Sequence, residues 1–178
     1  MKKLTLIAIV IFVSCTVAVA QPRAIGGRLS YSIGASYQHG FGEKNMLQAD
    51  LDLLGYWYGG QATITYNWII PIKEWNIGTF NAFAGGGVGG GYKWGLQVSN
   101  INYPWGLELF TRNRYGFVGL AANGGVEFNF QFGLQLSAEW RPLFALRFYE
   151  NENRDIDFYV GGLYKSAVAL GVRYRLGK

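Results

Sequence analysis

The sequence predicts an all-β chain: a single antiparallel up-and-down transmembrane β-barrel, with eight strands expected. Three observations lead there. Residues 116–148 form two long runs of alternating character around one tight turn. Val118, Leu120, Ala122, Val126 and Phe128 share one parity, with Asn123, Glu127 and Asn129 on the other. After Phe130-Gln131-Phe132-Gly133 the pattern resumes, Leu134, Leu136, Ala138 and Trp140 against Gln135, Ser137, Glu139 and Arg141. Successive strand side chains point to opposite faces, so each run has a greasy face and a polar face. Lipid takes the greasy face and a narrow lumen the polar one. Second, the same alternation recurs along the chain. Third, the chain is rich in glycine and aromatic residues, 26 Gly and 17% aromatics, with only four prolines. That composition suits closely packed strands rather than a disordered chain.

Taken in order, residues 25–38 alternate without a break. Leu29, Tyr31, Ile33, Ala35 and Tyr37 oppose Arg28, Ser30, Ser32, Ser36 and Gln38. A turn at 40–45 leads to the strand 46–53, and an aromatic hairpin end at 56–60 to the strand 61–68. A turn at 71–76 and a glycine-rich strand at 79–92 follow. After the irregular stretch 93–114 come the two runs already described. A polar, acidic loop at 149–162 precedes the closing strand 166–176. That makes seven strands, each near the roughly 9–11 residues that cross a bilayer at a tilt. Bacterial barrels normally have an even count, so an eighth is expected within 155–161 or 95–112. A soluble two-sheet sandwich is the alternative architecture.

The first twenty residues read as a cleaved secretory signal: Lys2 and Lys3, an apolar core at 4–13, and Ala18-Val19-Ala20 before Gln21. The barrel domain is then 21–178, and the expected destination is the bacterial outer membrane after Sec-type export. The apolar core is about half the roughly 20 residues of a spanning helix, and Gly or polar residues interrupt every later apolar run. Cys15, the only cysteine, lies in the signal. Cleavage before an acylated Cys15 is an alternative that the downstream A-x-A site disfavours. Losing Lys2 and Lys3 lowers the formal charge from +5 to +3. That is too mild and too scattered for nucleic acid.

Aromatics gather at strand ends. Tyr56, Trp57, Tyr58, Tyr92, Trp94, Phe148 and Tyr149 form one expected girdle, and Trp68, Trp75, Phe128, Phe130, Phe132 and Tyr174 the other. The short turns would face the periplasm and the long connections 93–114 and 149–162 the outside.

The inward parity collects Arg28, Asp50, Asp52, Glu127, Glu139, Arg141, Arg173 and Arg175, four cations and four anions. Eight strands enclose a space that side chains just fill. Charges there must be paired and hydrogen-bonded, so a salt-bridged lumen is expected, with Glu127 and Glu139 near Arg141 and the last-strand arginines. A polar ion path is the alternative. Asp50 and Asp52 share a face and could do acid–base work, but ion pairing is the simpler role. His39, the only histidine, sits near Ser36 and is the one place to look for catalysis. One histidine and no mature cysteine build no metal cluster. Gly85, Gly87 and Gly90 match G-x-G-x-x-G, yet no helix follows, so bent barrel wall replaces phosphate binding. No cofactor is expected. The segments 101–106 and 151–157 would face outward, with Trp105 the candidate contact residue.

The hairpin Gly-Val-Glu-Phe-Asn-Phe (125–130) to Leu-Gln-Leu-Ser-Ala-Glu-Trp-Arg-Pro (134–142) and the closing Ala-Leu-Gly-Val-Arg-Tyr-Arg-Leu (169–176) resemble small outer-membrane β-barrel proteins of the OmpX and OmpA-barrel type. The resemblance covers nearly all of the mature chain. It implies outer-membrane lipid and lipopolysaccharide as surroundings. In the last strand, Gly171, Tyr174 and Leu176 resemble the insertion signal read by the barrel-assembly machinery. Ala169 replaces the polar position, and the chain runs on through Gly177-Lys178 instead of ending on an aromatic. A non-enzymatic barrel with a plugged lumen, serving envelope structure or surface interaction through an unidentified outer ligand, is the expected function. A narrow porin-like channel and a lipid-modifying barrel enzyme are the alternatives.

Overall fold

A computed structural model describes residues 23–54, 59–94, 97–99, 109–111, 114–149, 156–161 and 168–176. The predicted signal peptide, Cys15, the aromatic run at 56–58 and the Trp105 segment lie outside the described residues. The strands are β1 (Arg23–Leu29), β2 (Ser32–Phe41), β3 (Asn45–Leu54), β4 (Gly59–Trp75), β5 (Gly78–Lys93), β6 (Gln97–Ser99), β7 (Leu109–Thr111), β8 (Tyr115–Phe130), β9 (Leu134–Trp140), β10 (Leu143–Tyr149), β11 (Ile156–Gly161) and β12 (Val168–Leu176).

Eight of them, β1 to β5 with β8, β9 and β12, close an antiparallel ring, because β12 pairs with both β1 and β9. β10 continues β9 along β8 in the same register, beyond a break at Arg141-Pro142. Proline has no N–H to give the ladder, but its carbonyl still accepts from the Ala122 amide at 3.1 Å. β11 extends the wall beside β10. The ring is sheared. Registered partners lead from Val172 one way round through Gly27, Ala35, Leu51, Ala62 and Gly90 to Val118, and the other way through Leu136 to Phe128, a different place on β8. Such stagger accompanies tilted strands and sets the bore of a small barrel.

The eighth strand lies where the sequence pattern shows one. Residues 25–38 are a hairpin, turning at Ser30 and Tyr31. Leu29 pairs with Ile33, so an odd number of residues separates the paired positions. An odd connection keeps odd-numbered residues on one face, and the alternation runs through the turn undisturbed. Serines make the turn: Ser30 N donates to Ser32 O at 2.7 Å, and the two hydroxyls lie 2.9 Å apart. The two stretches expected to hold the missing strand do other things. Residues 97–99 and 109–111 form a separate two-stranded ribbon, while 156–161 heightens an existing wall.

Another expected turn moves. Residues 71–75 continue β4, with a bulge between Pro71 and Lys73, and the chain reverses at Asn76-Ile77. One barrel end therefore carries the turns at 42–44, 76–77 and 131–133, plus the outer ends of β1 and β12. Gly42 and Gly133 take positive φ, 69° and 100°, a conformation glycine adopts without steric cost. This is called the turn end here, and the opposite one the loop end.

The outer face is apolar. Leu51, Leu120, Ile33 and Leu29 are each at least 60% exposed. Among the described residues, the outward positions of β2, β3, β5, β8, β9, β10 and β12 hold no Asp, Glu, Lys or Arg. At the turn end, outward rings touch in a chain: Trp75 to Phe128 at 5.8 Å, Phe128 to Phe130 at 4.6 Å, Phe130 to Phe132 at 5.1 Å between centroids. At the loop end Tyr92 stacks on Trp94 at 6.4 Å. Tyr149, expected in that girdle, packs inward against Tyr115 instead. Its odd number matches the inward parity of β8 and β10.

Candidate functional site

The lumen is the candidate site, and it is layered. The middle layer is ionic. Arg28 on β1 bonds Asp52 on β3 at 2.8 Å, and its Nε lies 3.4 Å from Glu139 Oε2. Arg141 reaches Asp50 with one arm and Glu139 Oε2 at 3.1 Å with another. Arg173 on β12 bonds Glu139 Oε1 at 2.5 Å. Glu139 on β9 is thus the hub of three arginines. Its six charges balance, three guanidiniums against three carboxylates, and no side chain among them is more than 5% exposed. Ionised groups in so dry a place require near-complete pairing and hydrogen bonding. Neutral groups supply the remainder. Ser137 Oγ donates to Glu139 Oε1 at 2.8 Å, and Arg173 bonds Ser36 and Ser137, each at 2.8 Å. Gln48 Nε2 donates to Glu139 Oε2 at 3.0 Å and to Asp50 at 3.2 Å, and its carbonyl accepts from Gln38 at 3.0 Å.

The network crosses the bore. Arg141 Nε also donates to Asn123 Oδ1 on β8 at 3.4 Å, and Asn123 donates to Asn67 Oδ1 on β4 at 3.0 Å. The two asparagines stand on strands that β5 separates, and both are registered with Gly85. Glycine there leaves the gap they bond across. A Cβ on Gly85 would fall against the Tyr66 carbonyl oxygen and 2.7 Å from Asn67 Oδ1. Gly85→Ala should therefore cost about 1–3 kcal/mol by overpacking, measured by urea unfolding in detergent micelles; an unchanged midpoint would show the gap to be dispensable. The glycine run read as barrel wall has this second use. Gly171 has a similar one, since a Cβ there would lie 2.7 Å from Arg173 Nη1.

Toward the loop end the lumen is apolar. Tyr115, Phe117, Ala121, Leu143 and Ala145 form a buried cluster, with Leu54 and Tyr149 packed on it. Lys93 Nζ lies 5.5 Å and the Arg147 guanidinium carbon 4.9 Å from the Tyr115 ring centre. Sequence reasoning missed this layer. Its signal was present: over 143–146 apolar residues occupy both parities, so alternation fades where the lumen itself is greasy.

Toward the turn end lies a cavity of about 500 Å³, lined by Glu127, Asn129, Gln135, Arg23 and Arg175 among others. Here two expectations fail. Glu127 is buried but has no ion pair among the described residues. Three amides hold it instead: Asn81 at 3.1 Å, Asn129 at 2.8 Å and Gln135 at 2.7 Å. The reason is height. Glu127 pairs with Ser137, and Glu139 with Gly125, so Glu127 sits one inward step, roughly 7 Å, nearer the turn end. Arg175 is likewise one step below Arg173. It is exposed at the cavity rim and joins no ion pair among the described residues. Of the eight expected lumen charges, Arg28, Asp50, Asp52, Glu139, Arg141 and Arg173 come together; Glu127 and Arg175 do not.

The carboxylates of Asp50 and Asp52 share a face but bind different arginines, an arrangement made for charge pairing. His39 and Ser36 point to opposite sides of β2. Ser36 faces the lumen beneath Arg173, while His39 lies among outward rings, its Nδ1 3.3 Å from Tyr37 Oη and its ring 4.9 Å from Phe41. The pair cannot act as nucleophile and base on one substrate. In the closing strand, Tyr174 and Leu176 are outward and exposed, and Gly171 faces the lumen. Comparison with protein-family models and with curated proteins finds no match to this chain.

Proposed function

We propose that the chain is a non-enzymatic outer-membrane barrel of the OmpX and OmpA-barrel kind, sealed across its middle and serving envelope structure or surface interaction through its loop end. The observation that carries this reading is the outer face, apolar and free of charge along most strands, wrapped around a lumen that buries six paired charges. A water-soluble barrel would place these the other way round, since charged side chains are buried at a cost and large apolar patches attract partners. The ionic layer and the aromatic cluster above it together support a seal. Outer-membrane lipid and lipopolysaccharide are the proposed surroundings, the turn end is periplasmic, and Gly171, Tyr174 and Leu176 are the proposed assembly signal. In this placement the described loop-end strands β6, β7 and β11 stand nearest the outside.

The placement is tested by nitroxide labels at Val118, Leu120 and Val126, outward positions of β8, in the cysteine-free mature chain reconstituted in liposomes. Electron paramagnetic resonance should find them accessible to oxygen and shielded from a water-soluble nickel chelate. Equal access to the chelate would refute a membrane position.

A further inference from the structure

The turn-end cavity has a chemical polarity that the seal does not require. Its deep wall is Glu127, and a carboxylate only accepts hydrogen bonds. Asn129 and Gln135 must therefore turn their NH2 groups to it, as their 2.8 and 2.7 Å bonds record. That choice directs both amide oxygens elsewhere. Asn129 Oδ1 and Gln135 Oε1 are buried and accept no hydrogen bond from the described residues, and both side chains line the cavity. The deep wall thus offers one anion and two buried acceptors, which together suit a cation with several N–H donors. The rim is mainly of the opposite sign, Arg23 and Arg175 against one carboxylate, Glu43 in the 42–44 turn. Arg175 N donates to Gly133 O in the turn after β8, whereas Gln135 pairs with Arg173. Arg175 therefore stands nearer the turn end than the acceptors do, exposed and with no ion pair among the described residues. Met46 and Ile69 add apolar wall. A volume of about 500 Å³ is within the range of sites that enclose small molecules.

We propose that this vestibule binds a small zwitterion of amino-acid or dipeptide size, its ammonium against Glu127 and the amide oxygens of Asn129 and Gln135, its carboxylate toward Arg175. An apolar side chain would lie along Met46 and Ile69. The proposal uses neither the membrane position nor the seal, and its test is made in detergent, so either can fail alone.

The test is isothermal titration of the folded mature chain with the dipeptide Ala-Leu, its N-acetyl form and its C-terminal amide. Ala-Leu should bind saturably, and each blocked form should bind at least about tenfold more weakly. Glu127→Gln should weaken Ala-Leu about tenfold while leaving the N-acetyl form nearly unchanged. Arg175→Gln should weaken Ala-Leu and leave the amide unchanged; its exposed position keeps folding out of the comparison should Glu127→Gln fail to fold. Equal binding of Ala-Leu and its amide would reduce the vestibule to a cation site and overturn the proposal. No saturable heat from any probe would mean the vestibule holds solvent alone, and would overturn it too.

Discussion

Glu139→Gln should destabilise the barrel by about 3–5 kcal/mol, the usual penalty for breaking a buried ion pair by removing one partner. The substitution keeps the side chain's shape and deletes its charge. Three guanidiniums then face two carboxylates, Asp50 and Asp52. Arg173 suffers most, because Glu139 is its only carboxylate partner among the described residues. Arg28 and Arg141 retain an aspartate each. Arg141→Leu should be comparably harmful from the other side, since among the described residues it leaves the Asp50 carboxylate with only the Gln48 amide. The check is urea unfolding of the refolded chain in micelles, followed by tryptophan fluorescence and by heat-modifiable gel mobility. In a double-mutant cycle, Glu139→Gln with Arg173→Gln should cost less than the two singly, because the second change removes the charge that the first strands. A loss below about 0.5 kcal/mol for Glu139→Gln, the scale of an ordinary surface substitution, would mean that the network is not dry.

Leu120→Arg should cost about 2–4 kcal/mol when the barrel folds into lipid, the penalty for an arginine on the lipid face near the bilayer midplane. Leu120 is 67% exposed near the middle of β8, beside outward Val88 on β5 and Phe144 on β10. Among the described residues, no Asp or Glu stands at an outward position of β5, β8 or β10 to compensate a charge there. Were this face in water, the same change would be nearly neutral. Phe132→Arg is the control. Phe132 is 63% exposed in the turn between β8 and β9, at residues 131–133, where depth-dependent penalties fall to about 0–1 kcal/mol. Folding titrations into phospholipid vesicles measure both. Equal costs at the two positions would remove the depth profile that a bilayer imposes.

The barrel was legible in the sequence because a strand's two-residue period is absolute, and one face had to be greasy along every wall. Strand count was less legible. The turn at Ser30-Tyr31 hides in the alternation because its odd connection preserves parity, and its residues are serines and a tyrosine rather than glycine or proline. The membership of the ionic network was readable as parity but not as height. Arg28, Asp50, Asp52, Glu139, Arg141 and Arg173 meet because the sheared register brings distant strands level. Glu127 and Arg175 share their parity and miss them by one inward step. Parity alone cannot separate residues two apart on one strand. The apolar layer of Tyr115, Phe117 and Leu143 went unread for a related reason: with both faces greasy, the sequence there does not say which face is inside.

Sealing is the central claim, and planar-bilayer conductance tests it most directly. Purified mature protein inserted into a phospholipid bilayer at high salt should give no stable single-channel openings, because the ionic layer and the aromatic cluster occupy the bore in series. Reproducible openings of constant conductance from the folded, heat-modifiable form would contradict the account.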